Sequence, residues 1–253
     1  MMRAIEEVCE EAARRGTGIL VDAEQQFVQW GIDESAVALM RKYNRGDKAI
    51  VYNTYQAYLK GTPDMLSRHM RQASDDGFTL GVKLVRGAYI SSEPRHTIND
   101  TKEDTDNSYD SITKALLSGT HRGFGNDMPS KMPNIEVFLG THNGESTLAA
   151  HQTQLARTEE GLPLTPVRYG QLLGMADEVS FTLIQLKTRI SGPRYASPEV
   201  YKCLSWGTLG DCVSYLIRRA VENKDAVSRN KGEFVALKRE LFRRFKAMIG
   251  LAH

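Results

Sequence analysis

Hydrophobic and polar positions alternate along this chain in short runs, and a segment with helical spacing follows each run. Five apolar runs each predict a β-strand: residues 18–24, 48–56, 81–89, 135–143 and 167–175. Helices are predicted after them: around residues 35–43, 64–73 and 109–118, from about residue 146, and in stretches through Leu216. This alternation predicts an α/β fold with a parallel sheet, either doubly wound or closed into a (β/α)8 barrel.

Polar side chains cluster where the predicted strands end. They are Asp22, Glu24, Asn53, Gln56, Arg86, Thr141, His142, Asn143 and Gln171. In a barrel these strand ends converge on one mouth, where active sites lie. Neither of the glycine-rich motifs of dinucleotide-binding and P-loop folds follows the first strand. We therefore expect a (β/α)8 TIM-type barrel that is incomplete, with about the last five strand–helix units present and N-terminal strands missing.

The remaining segments give the expected domain organisation. Residues 118–133 and 156–166 are rich in polar residues and in glycine and proline, which predicts loop insertions. Residues 230–253 carry basic residues at helical spacing and are predicted to form a helical tail outside the barrel. Residues 1–229 then form the partial barrel domain.

Composition excludes some functional classes. A net charge of +2, with dispersed cations, argues against a nucleic-acid partner. Cys9, Cys203 and Cys212 fit neither a disulfide framework nor a CxxC metal pair. The sequence contains no run of 18 apolar residues, so no transmembrane helix is predicted. The acidic, helical first residues do not have the pattern of a secretory or transit peptide, so we expect no targeting label in this sequence.

The third strand carries the first candidate chemistry. Lys83 lies within an otherwise apolar strand, where an unpaired ammonium costs several kcal/mol. Its alternative is a lysine that points outward between helices. Arg86, Gly87 and Ala88 follow, and they offer a cation and small residues that allow an anion to approach the backbone.

Two further strand ends hold candidate polar groups. Asp22 follows the first apolar run, and the alternative to an active-site role is a helix N-cap. Thr141, His142 and Asn143 lack the spacing of metal ligands, because the next histidine is His151. We interpret the triplet as a hydrogen-bonding set for a polar heterocycle or a ribose. The alternative is a structural role, in which His142 is buried and its ring nitrogens form hydrogen bonds within the protein.

A helical segment near residue 218 carries two adjacent arginines. Arg218 and Arg219 lie about 100° apart on a helix, so both can face one ligand. Paired guanidinium groups are well suited to binding a carboxylate. Glu222, four residues after Arg218, can pair with it at a gain of about 0.3–0.5 kcal/mol. The alternative is a solvated basic face.

These motifs together resemble the proline dehydrogenase family, in particular its mitochondrial eukaryotic members of fungal type. In chain order they are VDAE, TYQAYL, KLVRGAY, THN, QLLGM and YLIRRAVEN, spread over residues 18–223. The resemblance implies a distorted (β/α)8 barrel that binds FAD at its strand ends. It implies oxidation of L-proline to 1-pyrroline-5-carboxylate by hydride transfer to flavin N5. Electrons would pass to quinone or another acceptor, with peripheral membrane contact on the matrix side of the inner mitochondrial membrane.

The resemblance also implies a role for each matching residue. Asp22 and Lys83 match active-site positions, with the Lys83 cation beside the flavin. The implied FAD contacts are Ala23, Asn53, Gln56, Val85, Arg86, Gly87, Ala88, Tyr89, Thr141, His142 and Asn143, with the register between Asn53 and Gln56 open. The implied proline contacts are Leu172, Tyr215, Arg218, Arg219 and Glu222.

Two departures from the family pattern keep alternatives open. The family has about three strands and a catalytic lysine upstream of the VDAE strand. The family also has a tyrosine packed on proline near the position of Cys203, for which Tyr201 and Trp206 are candidate substitutes. One alternative is therefore a truncated or non-catalytic scaffold fragment, and another is a hydroxyproline dehydrogenase.

Overall fold

A computed structural model describes residues 2–120, 124–125, 128–189, 198–222 and 231–248. The described strands are β1 (Ile19–Val21), β2 (Val51–Gln56), β3 (Leu80–Val85), β4 (Ile135–Gly140), β5 (Val167–Leu172) and β6 (Glu199–Cys203). The described α-helices are α1 (Met2–Arg15), α2 (Gln26–Tyr43), α3 (Thr62–Asp76), α4 (Lys102–Ser118), α5 (Gly144–Glu159), α6 (Asp177–Arg189), α7 (Leu209–Glu222) and α8 (Lys231–Met248). A short 3-10 helix covers Arg95–Thr97.

The six strands form one parallel sheet in the order of the chain, β1-β2-β3-β4-β5-β6. Each strand pairs with the next one, so the sheet winds in one direction and has no point where the order reverses. Winding in one direction is the topology of (β/α) barrels, whereas a doubly wound sheet reverses its order. The predicted α/β fold with a parallel sheet is confirmed.

The expected number of five strands was too low, because the sequence analysis missed β6. This strand pairs with β5, and helices precede and follow it where we had expected helix alone. Its five residues, Glu-Val-Tyr-Lys-Cys, alternate between half-buried and exposed positions at the edge of the sheet. An edge strand of this kind lacks the apolar run that marks a buried parallel strand.

The strand residues alternate between a helix-facing side and a concave side. On β3, Leu80, Val82 and Leu84 are fully buried and belong to the main hydrophobic core. Lys83 points to the opposite, concave side, because successive strand residues alternate in direction. Across the sheet the core is formed by the helix-facing side chains, and polar groups are concentrated on the concave side.

A charged cluster occupies the concave side near the amino ends of the strands. Arg168 on β5 donates to Glu136 on β4 at 2.8 Å and to Glu199 on β6 at 3.0 Å. Tyr52 on β2 also hydrogen bonds to Glu136 and accepts a hydrogen bond from Arg168. Because neighbouring strands are about 4.8 Å apart, contact between β2 and β5 favours a curled sheet.

Helix boundaries follow their local signals. α3 has a proline in its first turn and ends at Gly77, whose φ of 66° only glycine adopts readily. α4 begins before the predicted residue 109 because Thr101 and Asp104 form a capping box. α5 continues to Glu159, so the first residues of the predicted loop 156–166 are helical.

The other predicted segments are partly described. Residues 121–123 and 126–127 of the predicted insertion 118–133 lie outside the described residues. The predicted tail contains α8. The boundary between barrel and tail stays a prediction. Within the described part of the chain, every helix is too short or too polar to traverse a bilayer.

Candidate active site

The carboxyl ends of β1 and β3 bring a charged pair together on the concave side. Lys83 forms an ion pair with Asp22, and the Lys83 side chain is 17% exposed whereas that of Asp22 is 77% exposed. Lys83 therefore does not point outward between helices. Asp22 is not a helix cap either, because α2 begins after Gln25, the residue at the N-cap position. Both side chains thus lie at the mouth, as expected.

The structure separates the two amides whose register the sequence left open. Gln56 lies at the mouth, where its amide donates to the Glu24 carbonyl at 3.2 Å and accepts from the Ala88 backbone N–H at 3.3 Å. Asn53 is fully buried on the helix-facing side and donates to Asp33 of α2 at 2.7 Å. Residues three apart on a strand point to opposite sides, so Asn53 does not reach the mouth and its expected FAD contact is wrong.

Arg86 is held by the structure around it. Its Nε donates to Asp106 at 2.7 Å, and its two terminal nitrogens donate to Thr141 at 2.8 Å and Ser146 at 2.9 Å. Its guanidinium group also lies 4.4 Å from the centre of the Tyr109 ring. Arg86 therefore links the loop after β3 to α4 and α5, rather than standing as an open cation.

The charge of Asp106 is part of this arrangement. Burial would raise the pKa of Asp106, but hydrogen bonds from Lys102 and Arg86 outweigh it and hold the pKa below its usual value. Sequence reasoning missed Asp106, which lies one turn into α4. The available signal was the capping box at Thr101, which starts α4 early enough to include Asp106 in the helix.

The remaining residues of KLVRGAY adopt different positions. Val85 is half-buried at the end of β3, and Gly87 and Ala88 are exposed. Gly87 has a φ of 142°, and a Cβ atom there would collide with the Tyr58 ring. Glycine is therefore required for packing against Tyr58. Tyr89 donates a hydrogen bond to the Glu24 carboxylate, which joins the loops after β1 and β3.

The triplet after β4 is ordered by local hydrogen bonds. Asn143 caps α5 by accepting from the Ser146 backbone N–H at 3.0 Å, and Thr141 accepts from the Asn143 N–H at 3.1 Å. His142 accepts from the Leu172 backbone N–H through Nε2 at 3.1 Å. Because Nε2 is the acceptor, the proton of the neutral ring is assigned to Nδ1. The triplet thus connects the ends of β4 and β5.

Helix α7 lies at the same mouth. The Arg219 guanidinium is 5.4 Å from the Tyr215 ring, and the Tyr215 hydroxyl is 3.9 Å from the Cys203 sulfur. Burial raises the pKa of Tyr215, and Cys203 and the Asp22 carboxylate contribute to the increase. The contact with Cys203 places Tyr215 at the carboxyl end of β6.

The remaining predicted substrate contacts surround this helix. Arg218 is exposed on α7, and Leu172 is half-buried where β5 ends. Ala23 is half-buried and follows Asp22 in the chain. Glu222 ends α7, but its side chain lies outside the described residues. The mouth therefore combines a cation held by a carboxylate, a side-chain amide, an apolar wall and a helix that carries two adjacent arginines. Such a set can bind a planar polar heterocycle beside a small carboxylate.

Comparison with known proteins identifies the family. The proline dehydrogenase family model matches residues 3–231. The probable mitochondrial proline dehydrogenase of Schizosaccharomyces pombe is 34% identical over 247 residues, which are 94% of this chain and 49% of that protein. Hydroxyproline dehydrogenase of Rattus norvegicus is also 34% identical over 247 residues, which are 94% of this chain and 50% of that protein. The chain thus spans about half the length of these relatives.

A solved structure shows the same fold. Proline utilization A from Bdellovibrio bacteriovorus, inactivated by N-propargylglycine, is similar with a TM-score of 0.66. The two chains are 22% identical, and the match covers 88% of this chain and 21% of that one. The family resemblance noted in the sequence is therefore confirmed by a model that spans most of the chain: this protein belongs to the proline dehydrogenase family.

Proposed function

We propose that this chain supplies the flavin- and substrate-binding strands of an FAD-dependent enzyme that oxidises L-proline to 1-pyrroline-5-carboxylate. The observation that carries the proposal is that both the Lys83–Asp22 pair and the Arg219–Tyr215 pair lie at the carboxyl ends of strands in one sheet, the second pair beside Cys203 of β6. The six strands are proposed to be part of a (β/α)8 barrel, of which residues 1–229 form a partial domain.

The donor groups at the mouth fit a flavin. Lys83 offers a positive charge on the concave side, and Gln56 offers an amide at the adjacent strand end. Gly140 and Gly170 place no side chain on the concave side of the sheet. At Gly170 there is no room for one, since a Cβ atom would collide with the Phe138 ring. We assign the flavin-contacting amide to Gln56, with further contacts from Ala23, Val85, Ala88, Tyr89 and His142. When bound, FAD supplies the acceptor for the hydride from proline C5.

The residues of the chain have separate tasks in this reaction. Asp22 holds Lys83 on the concave side, where its charge stabilises negative charge that develops beside it. Arg218 and Arg219 bind the substrate carboxylate, and Tyr215 packs beneath Arg219. Leu172 forms an apolar wall. Arg86 positions the loop of residues 141–143 through Thr141, and Gly87 allows the loop after β3 to pack closely against Tyr58.

Hydroxyproline is the second candidate substrate. The rat hydroxyproline dehydrogenase is as similar to this chain as the Schizosaccharomyces pombe relative, at 34% identity. Cys203 also lies beside Tyr215, at the position where the family resemblance places a tyrosine. A smaller side chain there leaves room for an additional hydroxyl on the ring.

The electron acceptor and cellular location complete the proposal. We propose quinone as the acceptor, a peripheral membrane contact, and a mitochondrial location on the matrix side of the inner membrane. Relatives named as mitochondrial proline dehydrogenases in yeast, worm and human support the location.

Titration of the purified protein with FAD tests the central claim. We expect the absorption spectrum of a bound flavin and its bleaching by L-proline, with 4-hydroxyproline measured in parallel. Arg218→Ala and Arg219→Ala should raise the proline KM strongly, since a lost charged contact costs on the order of 2–5 kcal/mol. FAD binding should stay unchanged, as it should in the control Arg14→Ala. An unchanged KM in both variants would remove the carboxylate role, and a protein that takes up no FAD would favour the non-catalytic scaffold.

A further inference from the structure

Helix α8 exposes an extensive apolar side. Six of its hydrophobic side chains are each more than half exposed: Val235, Leu237, Leu241, Phe242, Phe245 and Met248. At 100° per residue they fall within an arc of about 160°. An apolar arc of this width on a helix is normally covered, because it is as wide as the buried stripe of a globular protein.

The rest of α8 is strongly basic. Its sequence contains six cations and two anions, a net charge of +4, so the remainder of the +2 chain carries −2. Lys238 lies within the apolar arc, and Arg244 and Lys246 border its two edges. Arg243 and Arg244 both pair with Glu240, and these hydrogen bonds lower the pKa of Glu240 to about 2.

Helix α1 provides an internal comparison. Glu11 pairs with Arg14 and Arg15 at the same spacing as Glu240 with Arg243 and Arg244. The two helices differ on their apolar sides, because Cys9 and Ala12 of α1 are buried against the protein. A Glu-Arg-Arg motif therefore does not by itself leave an apolar side exposed, and the uncovered arc is a property of α8.

We propose that α8 lies on the surface of an anionic lipid bilayer, with its apolar arc in the interface. Charge complementarity identifies the occupant, since cations at both edges of an exposed apolar arc match a surface of anionic headgroups above acyl chains. The proposal names the helix that makes the membrane contact of the proposed function, and its biological role rests on that function. Lipid binding itself can be measured independently of FAD.

Vesicle flotation of the full chain tests the proposal. We expect binding to phosphatidylcholine vesicles that contain phosphatidylglycerol, little binding to phosphatidylcholine alone, and weaker binding at high salt. Arg243→Gln with Arg244→Gln should reduce the partition coefficient about fivefold, from the loss of the Arg244 cation at the edge of the arc, because Arg243 lies on the opposite side of α8. The matched control, Arg14→Gln with Arg15→Gln, removes the same motif from α1 and should leave the partition unchanged.

A second pair of substitutions tests the apolar arc. Leu241→Ser with Phe245→Ser should abolish vesicle binding, whereas Val8→Ser on α1 should not. Thermal unfolding verifies that each variant is folded, and the arginine pair decides the outcome if the serine pair does not fold. Equal binding by the arginine variant and its control would overturn the proposal.

The remaining outcomes separate this proposal from the others. Self-association that the serine pair abolishes, without vesicle binding by the wild type, would assign the arc to a second copy of the chain and overturn lipid binding. Loss of FAD binding with intact vesicle binding would instead overturn the proposed function and leave the role of α8 standing.

Discussion

The two sides of the parallel sheet are built from the same strands but differ in chemistry. The helix-facing side of β3 and β4 is apolar, with Leu84 and Val137 fully buried in the core. The concave side of the same strands carries Lys83 and Glu136, which form ion pairs with side chains from other strands and loops. Because successive side chains of a strand point to opposite sides, the same strand contributes apolar residues to the core and charged residues to the concave side.

The concave side is itself divided along the strands. Near the amino ends, Glu136 is buried and paired with Arg168, so the charges there satisfy one another. Near the carboxyl ends, Asp22 is mostly exposed and Arg218 is exposed. We infer that the amino-end cluster contributes to stability, whereas the carboxyl-end groups remain available to ligands.

The largest expected effect concerns the amino-end cluster. Arg168→Met leaves the Glu136 carboxylate buried without its cation, and should lower the free energy of unfolding by about 3–5 kcal/mol. Denaturant unfolding measures the loss. The double variant Glu136→Gln with Arg168→Met removes both charges and should recover much of it. A loss below about 1 kcal/mol in the single variant would show that the cluster is not structural.

The second prediction concerns neighbouring residues on opposite sides of β3. Leu84→Ala creates a cavity in the core and should cost about 2–5 kcal/mol of unfolding free energy. Val85→Ala, on the half-buried concave side, is the control and should cost clearly less. Equal losses would contradict the assignment of the core to the helix-facing side.

The third prediction uses a buried histidine on the helix-facing side. Burial lowers the pKa of His69 from 6.5 to about 4, with Arg68 and Arg41 adding to the decrease. The folded protein therefore resists protonation that the unfolded chain accepts, and the stabilisation present above pH 6.5 is lost as the pH falls towards 4. The total is roughly 3 kcal/mol.

His69→Asn isolates this contribution while offering a hydrogen-bonding group to Tyr55, which contacts His69 Nδ1 at 2.8 Å. The difference in unfolding free energy between wild type and variant should decrease as the pH falls from about 6.5 to 4. Burial raises the pKa of nearby Asp33, whose contribution has the opposite sign and is present in both proteins. A difference that is independent of pH would refute the buried, neutral histidine.

The smallest expected change in stability concerns Lys83. Lys83→Met breaks an ion pair whose partner is 77% exposed, so the unfolding free energy should change by less than about 1 kcal/mol. The affinity for FAD should nevertheless fall about tenfold or more, because a charged contact is lost. Lys42→Met, which breaks a pair with Glu6 on the surface, is the control and should leave FAD binding intact.

Much of the architecture could be predicted because it depends on local sequence patterns. Strands β1 to β5 coincide with apolar runs, and α3 has a proline in its first turn and a glycine directly after its last residue. β6 was missed because the residues of this edge strand are exposed or half-buried. Its sequence therefore lacks the apolar run that marks a buried strand. The early start of α4 was readable from Thr101 and Asp104, since a capping box is a local signal.

The candidate site was less predictable than the fold. Lys83 was singled out because a lysine is costly in a buried strand, but its ion-pair partner Asp22, 61 residues away in the chain, could not be read from that pattern. Asn53 was placed at the mouth because it stands near a strand end, and the side it faces depends on alternation counted from the true start of β2.

The sequence by itself determined the order of strands and helices, the family motifs and the residue types available at the strand ends. Tertiary structure alone decided how those residues are used. Arg86 donates hydrogen bonds to Asp106, Thr141 and Ser146, and Asn53 faces the helices. It also decided that the apolar arc of α8 remains uncovered while the matching side of α1 is buried. The physical reason is that periodicity and capping act within a few residues, whereas hydrogen-bond partners and burial depend on strand register and packing between distant segments.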